Sequence, residues 1–270
     1  MSFQPVIVGT GLVGWQFLKS TQESQREVFE AGAQLQRDTE YFAENIGSIK
    51  TAEDLVSDLR LRRVALGAFG LQEDINNKFF IQKILEEGTS EPTALANRMA
   101  DERYKSLTNA FSFDSPLGPR TSLSKFPEEI LSRYRAQEFE IAVGNQDENL
   151  RLSLNFERNL PEITEEGTTA DTQWLRVMGT APLRKVFETA LGLPSSFAQI
   201  DLDKQMEVLR EKSQSRFGAS EIADLAEPEV MEKVIQSFLL QSQIQEFSAT
   251  SSSQVAVTLL AQIPRTSLFG

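Results

Sequence analysis

Apolar residues recur along most of this 270-residue chain every three or four positions, with no sustained two-residue alternation. That period belongs to helices, and helices joined by short punctuated loops predict an all-α, multi-helix bundle. In Leu61–Leu71 (LRRVALGAFGL) a helical reading puts Leu61, Val64, Ala65 and Ala68 on one face and makes Gly70 the terminator. Thr51-Ala52-Glu53-Asp54 ahead of it has the form of a capping box, with Asp where Glu or Gln is usual. Phe79, Phe80, Ile81, Ile84 and Leu85 pattern the next helix, which starts at Asn76-Asn77-Lys78 with an Asn cap and stops at Gly88. Ser90 and Pro92 open another that carries Leu95, Met99, Tyr104, Leu107 and Phe111. Further helices are predicted from Phe126-Pro127, over 145–160, over 171–193 with a break near Gly179 and Pro182, over 202–215 and over 228–247. The last has Val230, Val234, Phe238 and Ile244 as its apolar positions.

LRRVALGAFGL has a near-copy in LRKVFETALGL, Leu183–Leu193, and the two share Leu61/Leu183, Arg62/Arg184, Val64/Val186, Ala68/Ala190, Gly70/Gly192 and Leu71/Leu193. Weaker echoes keep the same order: Gln25–Gly32 with Gln137–Gly144, Tyr41–Ile46 with Asn155–Leu160, and Thr51–Glu53 with Thr169–Asp171. The preferred reading is an internal duplication, with coincident helix similarity as the alternative. Ser112–Lys125 is rich in Ser, Pro and Gly and is the boundary between halves. The expected organisation is a flexible apolar N-terminal segment (1–14), a first helical half (15–111), a second (126–247) and a C-terminal tail (248–270).

Composition then narrows the chemistry. A net charge of −12 argues against nucleic acid and anionic membrane surfaces, which need a basic footprint. With no histidine and no cysteine the chain lacks the commonest general base, thiolate ligands, a Cys nucleophile and disulfides. The N-terminus has no classical signal peptide, and Val255–Ile263 is far shorter than the roughly 20 residues of a spanning helix.

Gly9-Thr10-Gly11-Leu12-Val13-Gly14 matches the dinucleotide-binding GxGxxG and follows Pro5-Val6-Ile7-Val8. The positions after it stay polar and helical, so the second strand and its acidic residue are missing, and close packing of the N-terminal segment is the better account. The Glu pairs 86/87, 128/129 and 165/166 read as solvated surface. Arg60, Arg62, Arg63, Arg184 and Lys185 read as stems at a core rim, paired with Asp58, Glu53 or Glu188. Trp15 and Trp174 read as core anchors, one per half. No catalytic, metal or cofactor residue is proposed. The candidate contact residues lie in the two apolar termini: Val6, Ile7, Val8, Leu12 and Val13, and Val255, Val257, Leu259, Leu260 and Ile263. Such termini either dock on their own domain or are offered to another subunit.

Gly11–Leu18, Tyr41-Phe42 with Glu44-Asn45-Ile46, Leu55-Val56 with Asp58, Ala68–Leu71 and Asn77–Phe80 resemble the domain-of-unknown-function 1217 family. Phe139-Glu140, Gly144-Asn145-Gln146, Ala190–Pro194 and Leu202-Asp203 continue the resemblance through the second half. It implies an alphaproteobacterial, flagellum-associated protein with no enzymatic activity attached, either cytoplasmic or exported without a classical signal peptide. The resemblance therefore points to a non-enzymatic protein that works through contacts with protein partners such as flagellar components. The alternative is a helical protein that holds a small ligand between its halves.

Overall fold

The computed structural model describes residues 3–164 and 168–261, with 249–261 as backbone only. Val255, Val257, Leu259 and Leu260 thus have described backbone but no described side chains, and Ile263 and the pair Glu165/Glu166 lie outside the described residues. Among the described residues there is no strand, and the fold is all-α. The first part of the chain carries α1 (Gly11–Glu30), α2 (Ala33–Asn45), α3 (Ala52–Ser57), α4 (Leu59–Ala68), α5 (Lys78–Glu87), α6 (Leu95–Arg98) and α7 (Glu102–Phe111). The second carries α8 (Phe126–Gly144), α9 (Glu148–Ile163), α10 (Ala170–Gly179), α11 (Ala181–Ala190), α12 (Leu202–Phe217), α13 (Ile222–Leu225) and α14 (Pro228–Ala261).

The helix ends follow local chemistry. Thr51 Oγ1 accepts the Asp54 N–H (3.1 Å) while Asp54 Oδ2 accepts the Thr51 N–H (3.0 Å), a complete capping box at α3. Asp58 Oδ1 accepts the N–H groups of Arg60 and Leu61 at the start of α4, and its Oδ2 accepts the Tyr41 hydroxyl at 2.6 Å. Burial opposes the Asp58 charge. The bonds from Tyr41, Leu61 and Arg60 together outweigh it and lower its pKa. At the far end of α4 the Leu71 N–H reaches the Leu66 carbonyl and the Gly70 N–H reaches that of Gly67, with Gly70 at φ +70°. Helix α11 ends the same way: Leu193 bonds back to Glu188, Gly192 to Thr189, and Gly192 has φ +64°. Each stop is followed by a 3-10 turn, Gln72–Asn76 and Ser195–Gln199, and then a helix. Gly70→Val forces a branched side chain into the left-handed region and sets a Cβ 3.3 Å from Gln137 Nε2. We expect it to cost about 1–3 kcal/mol in a urea melt.

Two apolar clusters form the interior. The first takes Leu35 and Phe42 from α2, Ile46 just after it, nearly all of α4, Ile81 and Ile84 from α5, Leu107 and Phe111 from α7, and Phe126 to Tyr134 of α8. The second takes Phe139 and Val143 from the later turns of α8, then α9, α10, α11 and α14. Helix α8 therefore runs through both. Trp15 and Leu18 of α1 also belong to the second cluster, so both tryptophans share one core and do not stand one per half. The reason is a partner that sequence spacing cannot locate: α1 lies against α14, where Glu232 accepts the Trp15 indole N–H (3.1 and 3.2 Å).

Other departures have local causes. The helix expected from Ser90 to Phe111 breaks into α6 and α7, because Asp101 caps a fresh start by accepting the Arg103 N–H. Asn77 sits at the start of α5, but its side chain bonds Asp74 and caps nothing. Of the arginines placed at a core rim, Arg184 pairs with Glu188 (2.7 Å) as expected. Arg60 instead lies over the Tyr41 ring, Arg63 faces Asp38, and Arg62 is buried and donates to the Val56 carbonyl at the end of α3. Asp58 caps α4, and its charge also acts on Arg60 and Arg62, although neither forms an ion pair with it. Helix α14 continues past Phe247 to Ala261.

Candidate functional site

The N-terminal residues are tied down along their backbone. Val6 donates to Gln25 Oε1 (2.6 Å) and accepts from Gln25 Nε2 (3.0 Å), while Gln146 donates to the Pro5 carbonyl. Gln25 is a buried amide that these bonds satisfy. The glycines of the GxGxxG stretch mark close approach. A Cβ on Gly11 would fall within 2.6 Å of the Gln243 side chain of α14, and one on Gly14 would stand 2.9 Å from the Gly9 carbonyl oxygen. Ile7 and Leu12 pack on the second cluster. Val6, Val8 and Val13 are at least half exposed.

At this junction α14 changes character. Ser242 is buried, and every residue from Ile244 to Ser248 is exposed. Leu240, Ile244 and Phe247 stand at i, i+4 and i+7, one face of a helix, and are 46%, 57% and 76% exposed. Ile244, one of the apolar positions of the last helix, is therefore a surface residue. Val13 on α1 and these three on α14 all lie within about one helical turn of the Gly11–Gln243 contact. The sequence pointed to the N-terminal half of this surface. It missed Leu240, Ile244 and Phe247, because a helical apolar stripe looks alike whether it faces a core or solvent.

A second feature lies where α7 approaches the α10–α11 junction. A Cβ on Gly179, at the end of α10, would stand 3.0 Å from the Ala100 carbonyl oxygen and from Glu102 Cγ at the start of α7. Beside this contact opens a polar cleft of about 1120 Å³ between α7 on one side and α9 and the α10–α11 junction on the other, with α8 also in its wall. Eight Arg and Lys side chains line it against five Glu. Most are paired: Lys105 with Glu102, Arg120 with Glu129, Arg133 with Glu162, and Arg151 with Glu148. Arg158 donates to buried Glu140 (2.6 Å) and to Gln137 (2.7 Å), and Asn155 donates to the same Glu140 (3.0 Å). Burial works against the charge on Arg158, and the bond to Glu140 outweighs it, raising its pKa. Arg176 and Lys185 line the cleft with no carboxylate partner among the described residues. No group of three acidic side chains is placed to hold a metal among the described residues.

The model of the family described as protein of unknown function (DUF1217) matches residues 68–231. The chain belongs to that family. A crystal structure of protein AGR_C_984 from Agrobacterium tumefaciens is similar to it, at 30% identity and a TM-score of 0.73, over 90% of this chain and 98% of that one. No curated protein matches the chain. The DUF1217 match contains every residue of the cleft wall and stops short of Leu240, Ile244 and Phe247. Residues that carried the sequence resemblance to DUF1217 turn out to be joints of the fold: Tyr41 bonds Asp58, Gln146 holds the N-terminus, and Glu140 anchors Arg158. No helix among the described residues is long and apolar enough to cross a membrane.

Proposed function

We propose that this protein is a non-enzymatic, flagellum-associated component that acts by offering an apolar helix face to a protein partner. The observation that carries the contact is the stripe Leu240, Ile244 and Phe247, a surface spaced for insertion into a groove of another protein. The same sequence spacing runs on to Val255 and Leu259, two of the positions marked as contact candidates. Val6, Val8 and Val13 are further exposed apolar residues of the N-terminal part. The flagellar assignment rests on the family resemblance, as do cytoplasmic or exported locations at the flagellum. The order shared by both parts, a capping Thr, two helices, a glycine stop, a 3-10 turn and a helix, supports the reading of two halves descended from a duplication.

The test uses the full chain with Ile244→Asp and Phe247→Asp together, in affinity purification from the native bacterium. Wild type is expected to retain a flagellar component, and the double variant is expected to lose it at an unchanged melting temperature, since both sites are exposed. Equal retention by the variant, or no flagellar component with wild type, contradicts the proposal.

A further inference from the structure

The cleft between the halves has no role in the α14 contact, and its chemistry is specific. We propose that it binds an extended acidic peptide segment of a partner protein. This deepens the reading that the protein works through protein contacts, and it concerns a surface separate from the α14 stripe. Three observations carry it. The first is charge: Arg176 in the last turn of α10 and Lys185 on α11 flank the Thr180 break, line the cleft and have no carboxylate within ion-pair distance among the described residues, on a chain of net charge −12. Two unpaired cations attract carboxylates at this place, while the net negative charge of the chain repels them elsewhere.

The second is the mixed lining. Glu102, Glu129, Glu148 and Glu162 stand in the same wall as the cations that neutralise them, and Glu73 lines it with no cation in ion-pair distance among the described residues. A compact polyanion such as pyrophosphate brings only acceptors and meets these carboxylates as like charges. A peptide brings spaced carboxylates for Arg176 and Lys185 and backbone N–H donors for the unpaired Glu73. The third is size. At about 1120 Å³ the cleft exceeds the roughly 300–1,000 Å³ typical of small-molecule sites, and it is walled by rigid helices, which lowers the ordering cost of an extended guest.

The experiment measures fluorescence anisotropy of a labelled peptide of alternating Glu and Ser with the full-length protein at low and physiological salt. Wild type is expected to bind it, more weakly as salt rises, and to ignore a Gln–Ser peptide of equal length. Arg176→Glu with Lys185→Glu should weaken binding by about tenfold or more, and the milder Arg176→Gln with Lys185→Gln should fall between. The Ile244→Asp/Phe247→Asp protein should bind the peptide as wild type does, so failure of the α14 contact and failure of the cleft site are read separately. The inference is overturned if both cleft variants, folded by their melting curves, bind the peptide as tightly as wild type. It is also overturned if wild type does not bind it, or if pyrophosphate at equal charge concentration displaces it, which would make this a small-anion site.

Discussion

Trp15→Ala is expected to lower the stability of the whole fold by about 3–5 kcal/mol, the range for truncating a buried Trp. The side chain is 1% exposed, joins the second cluster alongside Trp174 and Phe238, and gives its indole N–H to Glu232 of α14. The loss is then a cavity plus one of the hydrogen bonds that Glu232 accepts at the α1–α14 contact, its bond from Gln236 remaining. Urea unfolding followed by the fluorescence of Trp174 reads it. If α1 were only a leader helix beside the first half, the change would stay within about 0.5 kcal/mol, as for other surface sites.

Glu140→Ala should have a comparable effect, about 3–5 kcal/mol, for a different reason. Glu140 is 3% exposed and accepts from both Arg158 and Asn155 beside the cleft. Truncation removes the carboxylate that Arg158 and the buried Asn155 amide share, leaving the guanidinium bonded to the neutral Gln137 oxygen while burial disfavours its charge. The cost belongs to the unpaired charge more than to the bond. A compensated double change, Glu140→Leu with Arg158→Met, should therefore regain much of the stability in the same melts. If the single change costs no more than the double, the pair is solvated and the cleft floor is wetter than its burial indicates.

These two sites also mark where sequence reasoning stops. Short-range chemistry was readable: Thr51 with Asp54, Gly70, Gly192 and Gly88 terminate or start helices within a few residues of themselves, so their signals travel with the sequence. The helical period was readable for the same reason, and the all-α class with it. Neighbours across the fold were not. Period 3.6 says that Trp15 and Leu18 share a buried face, but nothing local says that the face meets α14, more than 200 residues away. Ile244 stands about 120° around α14 from Phe238, on the side of Leu240 and Phe247, and only the fold shows that no other helix covers that side. The cleft is hidden most deeply, because Lys105, Arg133, Arg158, Arg176 and Lys185 come from five helices and look like ordinary solvated charges in each. Gly179 was legible as a helix break and proved also to be the point where α10 touches the start of α7.

The central claim is that the protein serves the flagellum by presenting the Leu240–Ile244–Phe247 face. Soft-agar swimming of a deletion strain tests it most directly, with the strain complemented by wild type or by Ile244→Asp/Phe247→Asp at matched protein levels. The account predicts that deletion impairs swimming, wild type restores it and the folded double variant does not. A deletion strain that swims normally, or a double variant that restores swimming fully, contradicts it.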